Sequence, residues 1–220
     1  MRTLTDRLYT IQTLIPKGVR VADIGTDHGH LPISLIRSGI SERVIACDIR
    51  EKPLDNARKN IEKTGTVGVE LRLGDGLSPV LPFEVDYIVI AGMGGEVISG
   101  ILDSAKWTRD EKYTLLLQPM TSADALRRWL SENSFRISEE KAVLDGGKLY
   151  TVIKAVFSGM DEPKNEAFYR IGKLDKSEPV AALYIEKQIS IIKKCISDLE
   201  ASDKTEGLEN FKNILKEMEN

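Results

Sequence analysis

The sequence predicts an α/β fold, with a mostly parallel sheet, a C-terminal antiparallel strand and a helical coiled-coil tail. Three observations predict it. Short apolar β-type runs alternate with amphipathic helical stretches up to about residue 160. Two longer β-type stretches then flank the hairpin signal Asp145-Gly146-Gly147-Lys148. Beyond residue 160 the chain is charged, helical in period, and holds only Gly172 and Gly207 of the 17 glycines. The expected division is a sheet domain over 1–158 and a helical coiled-coil domain over 159–220.

The elements follow in order. Residues 19–24 form a first apolar run ending in Asp-Ile-Gly, and 31–37 a helix. Residues 43–49 form a second run, and 53–63 a helix with Pro53 near its first turn, where a missing N–H is harmless. Residues 69–73, 85–91 and 113–117 are three further runs, followed by Gly74-Asp75-Gly76, Gly92-Met93-Gly94-Gly95 and Gln118-Pro119. Such runs, apolar on both faces, imply a parallel sheet covered on both sides. Residues 136–144 and 149–157 supply the closing antiparallel pair. In the tail, Ala182, Ile185, Ile189, Ile192, Ile196 and Leu199 step by 3, 4, 3, 4, 3, and Leu208, Phe211, Leu215 and Met218 by 3, 4, 3. Two such seams predict an antiparallel helical hairpin, preceded by a short helix carrying Phe168, Ile171 and Leu174. A boundary near residue 158 predicts that a chain shortened after Met160 still folds.

Composition excludes several classes. With 220 residues, 41% hydrophobic and 30% charged, the chain is long enough for a large core and ordinary for a globular protein. No run reaches the length of a membrane span, and the N-terminal residues have no apolar signal core, so the expected compartment is the cytoplasm. Cys47 and Cys195 make no disulfide framework, and His28 and His30 are the only histidines, so no metal is expected. The net charge of −3 does not advertise a nucleic-acid partner, although a basic face can hide in such a total.

The chemistry gathers at strand ends. Asp23-Ile24-Gly25-Thr26-Asp27-His28-Gly29 follows the first run and opens a helix, a place where a ligand approaches the backbone closely. Position 27 holds Asp27 and position 30 His30, so the G-x-G-x-x-G dinucleotide fingerprint fails. Asp23 and Asp27 would repel a pyrophosphate and suit an amine or a sulfonium. Asp48, 23 residues after Gly25, stands where an acid accepts ribose hydroxyls, and Asp75 is placed to face an adenine edge. A carboxylate at a strand end is often only a cap or turn former. Three at successive strand ends mark the side where open α/β sheets bind ligands.

This pattern resembles the class I S-adenosylmethionine-dependent methyltransferases over about residues 15–157, including the reversed last strand, and implies their Rossmann-like fold. Asp23–Pro32 as DIGTDHGHLP, Ala91–Gly95 as AGMGG and Leu117–Pro119 as LQP resemble the bacterial tRNA (adenine-N1)-methyltransferase family, TrmK type, which modifies adenine 22 of tRNA. Asp6–Leu8 and the coiled-coil tail are similar too. The resemblance implies S-adenosyl-L-methionine as cofactor, held by Asp23, Gly25, Thr26, Gly29, Asp48, Ile49, Asp75, Gly76, Gly92 and Met93. It implies tRNA as partner, with Arg7, Gly94, Gln118 and Pro119 on the substrate and Asp27 and His28 as catalytic groups. No membrane partner is expected, and a monomer is favoured.

The residues agree with an endocyclic nitrogen as acceptor. Methylation at C5 of a pyrimidine needs a cysteine nucleophile, and neither cysteine lies in the acceptor loop. Methylation of an exocyclic amine usually comes with an Asn/Asp-Pro-Pro-aromatic segment, where this chain has Gly92–Gly95. A ring nitrogen needs only an extruded, aligned base. For RNA contact, Lys187, Lys193, Lys194 and Lys212 on the tail join Arg2, Arg7 and Lys17, although mixed charge on a helical hairpin is usually a solvated surface. Two other readings compete: a methyltransferase of the same fold acting on a small molecule or protein, and a cofactor-binding interaction module without catalysis. A methyl-transfer assay on bulk tRNA separates all three.

Overall fold

The computed structural model describes residues 4–202 and 206–219. Arg2 lies outside them.

Seven strands make one sheet. They are β1 (Val21–Ile24), β2 (Val44–Asp48), β3 (Val69–Leu73), β4 (Tyr87–Gly94), β5 (Thr114–Thr121), β6 (Phe135–Asp145) and β7 (Lys148–Phe157), in the order β3-β2-β1-β4-β5-β7-β6. The first five pair in parallel, and β7 lies antiparallel to both β5 and β6. The strand order reverses at β1, which lies between β2 and β4, so the open crevice falls at the C-terminal ends of these strands.

Alternation along the strands builds two cores. Ala22, Ile45, Ile88, Ile90, Leu115, Leu117 and Ile153 point to one face and meet Ile98 and Leu102 of α4 (Gly95–Ser104) and Leu126 and Leu130 of α5 (Ala123–Glu132). Val21, Val44, Val89, Leu116 and Val152 point to the other. There they meet Ile11 of α1 (Asp6–Thr13) and Leu31 and Leu35 of α2 (His30–Arg37). This is the period-2 pattern of strands buried on both faces. Helix α3 (Glu51–Thr64) buries Leu54 and Ala57 beside α2.

The tail comprises α6 (Glu166–Ile171), α7 (Pro179–Ala201) and α8 (Leu208–Glu219). Helices α7 and α8 form the expected antiparallel hairpin, pinned by Lys193–Glu219 and Lys212–Glu200, each at 2.9 Å. Its buried seam centres on Ala167, Ile192, Ile214 and Met218, so Ile214 joins the expected positions. Leu174 does not lie on the short helix as expected, because α6 ends at Gly172 with φ 73°. The tail also packs on the sheet, through α5, β6 and β7. Its buried Tyr169, Ala181, Tyr184 and Ile185 face that junction or the hairpin.

Candidate active site

Asp23 lies near the end of β1, only 5% exposed. Burial pushes its carboxyl up to about 6; the Thr26 hydroxyl works against that rise and the neighbouring Asp48 charge adds to it. The hydroxyl stops short of hydrogen-bonding geometry, which leaves Thr26 Oγ1 buried without a partner. The Gly25 and Thr26 amides both donate to the Cys47 carbonyl, at 2.8 and 3.0 Å, and tie this turn to β2. Gly25 has φ 79°, and a Cβ there would collide with the Met93 methyl group, so this turn calls for glycine.

Asp48 ends β2 and is buried; its Oδ1 accepts the Arg50 amide at 2.9 Å. Among the described residues no hydrogen bond reaches its Oδ2. Gly25, Asp48, Ile49, Asp75, Gly76 and Met93 line one cleft of about 310 Å³. Past Asp75 and Gly76 it adjoins a second, of about 600 Å³, walled by Leu77, Val97, Ile101 and Trp107. Both volumes suit a small-molecule ligand. Six of the residues expected to bind cofactor thus share one cleft; Asp23 and Thr26 are buried beside Ile24 and Gly25 of its wall and do not line it. Gly29 stands apart, packed on Ala57 of α3.

A second corner adjoins it. Gly92–Gly94, expected as a loop, instead continues β4 and pairs with β5 through Met93–Pro119 and Gly94–Thr121, with an irregular register on either side of Met93. Glycines at 92 and 94 let the strand bulge without breaking. Gln118 is fully buried, and its Oε1 accepts Arg7 Nη1 at 2.6 Å and the Gly92 amide at 3.2 Å. Its Nε2 donates to the Pro119 carbonyl at 2.8 Å. Arg7 also pairs with Asp145 at 2.6 Å and lies 5.4 Å from the Tyr150 ring centre. It is a part-buried link between α1, β5 and the β6–β7 turn rather than a surface cation. Asp145 and Tyr150 belong to this corner; the sequence marks Asp145 as the start of a hairpin turn and neither as a site residue.

Asp27 and His28 occupy the β1–α2 turn. Asp27 has φ 48°, the left-handed region that a non-glycine residue rarely adopts and that clusters at functional sites. His28 Nε2 lies 3.5 Å from Asp27 Oδ2, and the His28 ring stacks on His30 at 5.5 Å. Among the described residues no hydrogen bond joins this pair to Arg7, Gly92 or Gln118, so they form a separate rim.

Residues 4–153 match the profile of a methyltransferase domain family. The chain belongs to that family, in its TrmK-type branch. It is 37% identical over 153 residues to the tRNA (adenine(22)-N(1))-methyltransferase of Bacillus subtilis, a match covering 69% of this chain and 64% of that relative. The crystal structure of the B. subtilis m1A22 tRNA methyltransferase TrmK superposes with a TM-score of 0.85 at 28% identity, covering 98% of each chain. The structure of M. capricolum TrmK with S-adenosyl-homocysteine superposes with a TM-score of 0.80 at 28% identity, covering 99% of each.

In this member of the methyltransferase domain family the first cleft fits an adenosyl cofactor bearing a positive charge. The Thr26 hydroxyl is buried without a partner, Asp48 has one carboxylate oxygen beyond the one that accepts the Arg50 amide, and Asp23 adds a second buried acid beside them. Cys47 is fully buried, and burial pushes its thiol up to about 12, so it stays protonated and supplies no nucleophile. The tail lysines divide. Lys193 and Lys212 are engaged across the hairpin, whereas Lys187 faces a groove beside Pro119–Asp124. Lys194 and Lys17 are exposed. No helix among the described residues is long and apolar enough to cross a membrane.

Proposed function

We propose that this methyltransferase transfers the methyl group of S-adenosyl-L-methionine to N1 of adenine 22 in tRNA. The observation that carries the reading is the juxtaposition of the cleft, lined by buried Asp48 with buried Asp23 next to its Ile24–Gly25 wall, and the Gly92–Gln118–Arg7 corner; Met93 belongs to both. The similarity to the B. subtilis relative supports the acceptor. The cofactor, when bound, supplies a methyl group on a sulfonium. Asp23 offers its carboxylate to the positive end and Asp48 Oδ2 accepts ribose hydroxyls. Asp75, Ile49 and Gly76 border the base, while Gly29 sets the start of α2. Gly92, Gly94 and Pro119 leave a flat surface for the extruded adenine, with Gln118 fixed by Arg7.

N1 of adenine carries a free lone pair, so no proton has to leave before attack. The charge the ring gains is relieved by loss of a proton from the exocyclic amine, and Asp27, with His28 beside it, is the group assigned to that amine. The protein works as a monomer in the cytoplasm, with a sheet region (1–158) and a helical region (159–220) that share a buried junction at Arg127 and Glu140. Lys187, Lys194 and Lys17 meet RNA phosphates.

Radiolabelled cofactor and bulk tRNA test the reading, with the modified position mapped afterwards; a label in protein or small molecules alone sinks it. Asp48→Ala is expected to weaken cofactor binding by about 1–3 kcal/mol, because ribose hydroxyls lose their acceptor. Calorimetry on the folded variant checks this, and wild-type affinity removes Asp48 from the site. Asp27→Ala and His28→Ala are expected to lower kcat on tRNA with cofactor affinity unchanged. Full turnover in both variants leaves that turn a structural role only.

A further inference from the structure

We infer that Arg127 is a positioning residue for the polymeric substrate: it locks together the walls of the groove that leads from the acceptor corner to the helical tail. This rests on the RNA reading above. The groove is bordered by Ser122 and Asp124 at the start of α5, Tyr150 on β7, Arg170 on α6, and Tyr184 and Lys187 on α7. Four elements therefore have to keep a common spacing for the groove to exist.

Arg127, on α5, is fully buried and reaches every one of those elements. Its Nη1 donates to the Tyr169 and Arg170 carbonyls of α6 at 2.8 and 3.1 Å. Its Nη2 donates to Thr151 Oγ1 of β7 at 3.3 Å and to the Tyr184 hydroxyl of α7 at 3.5 Å. The charge is met by Glu140 of β6, with Nη2 to Oε1 at 2.7 Å, and neither side chain has any solvent exposure. Glu140 Oε2 in turn accepts the Lys173 amide at 2.9 Å. The chain enters this junction through Gly172, with φ 73° and ψ −161°, a region open essentially to glycine. A Cβ there would collide with Glu140 Oε2.

Stability alone does not call for this arrangement. Replacing a buried ion pair by apolar groups of similar volume is often neutral or stabilising. A planar guanidinium with five donors adds direction, and its bonds fix angles between four elements that apolar contacts leave free to slide. Helix α5 begins at Ala123, directly after Ser122 and the Thr121 that pairs with Gly94, so its placement is passed straight to the acceptor corner.

The test compares wild type, Arg127→Lys and the double variant Arg127→Met/Glu140→Leu on two substrates: full-length tRNA, and a short RNA stem-loop that carries the target adenine but cannot reach the tail. The double variant is expected to fold with a lowered Tm, because the α6 carbonyls and the Thr151 and Tyr184 hydroxyls lose their donor, to keep its cofactor affinity, to raise KM for full tRNA at least tenfold with kcat within about threefold, and to leave the stem-loop unaffected. Arg127→Lys, which keeps the charge but not the fork, is expected to fall between. Wild-type KM for tRNA in a folded double variant overturns the inference, as does an equal loss on both RNAs. If the double variant fails to fold, an unchanged KM in Arg127→Lys overturns it and a selective rise supports it. A wild-type protein that methylates neither RNA defeats the RNA reading itself, a different result.

Discussion

Asp23→Asn is expected to raise thermal stability at pH 8 and to weaken cofactor binding in the same variant. Asp23 titrates at about 6 in the folded protein against an ordinary 3.8, because burial disfavours its charge. The folded state therefore keeps this proton longer than the unfolded chain. Its contribution is most favourable below about pH 4, declines as pH rises from about 4 to about 6, and stays lost above that. At about 1.4 kcal/mol per pKa unit, ionisation withholds about 3 kcal/mol at pH 8, which asparagine avoids. Melts should show a gain of roughly 6–12 °C at pH 8 and little at pH 4. An equal gain at both pH values, or a loss at pH 8, contradicts the assignment. Binding runs the other way. A cationic ligand prefers the ionised carboxylate, so wild-type affinity should be level above about pH 6.5 and fall by up to tenfold per pH unit below about 6. The asparagine variant should bind weakly and without that slope. Stability given up at a ligand site is the familiar exchange between fold and function.

A chain ending at Met160 is expected to fail as an independent domain. The position of the composition shift suggests the opposite, and the buried junction reverses that expectation. Without residues 161–220, Arg127 loses the Tyr169 and Arg170 carbonyls and the Tyr184 hydroxyl, and Glu140 loses the Lys173 amide. The ion pair itself stays, but losing the buried hydrogen bonds that satisfy it costs about 1–3 kcal/mol each, which lowers Tm by roughly 10 °C or more in a chain of this size. Circular dichroism melts of the shortened chain test it; a Tm within a few degrees of the full protein makes the junction dispensable. A chain ended after Ala201 keeps all four of those groups and should retain most of its stability, although it exposes the α8 side of Ile192.

The strands and the three terminal acids are legible because each depends on local pattern: apolar runs, then an acid or glycine where the run stops. Helices α4 and α5 are harder to see. Helix α4 starts straight from the bulged strand at Gly95, and α5 starts after Ser122 in the left-handed region, with no side-chain cap at either start. Helix α1 does carry a signal, since Thr5 caps Leu8. The Arg7–Asp145 pair spans 138 residues, and nothing in either neighbourhood announces it. Arg127 lies beside Arg128 on an amphipathic helix, yet the first is fully buried and the second pairs with Glu166 near the surface. Sequence pattern marks both simply as charged positions.

Because β7 lies between β5 and β6, the apolar edge of β5 has no partner until residues 148–157 have been made. At about 5–20 residues per second, the stretch from Thr121 to Phe157 takes roughly 2–7 s to synthesise. During that interval Leu115, Leu116 and Leu117 present an open strand edge of the kind that recruits other chains. Arg127 and Glu140 wait longer still, until Tyr184 emerges. On the ribosome, the interval between β5 and α7 is therefore when this protein depends most on chaperones.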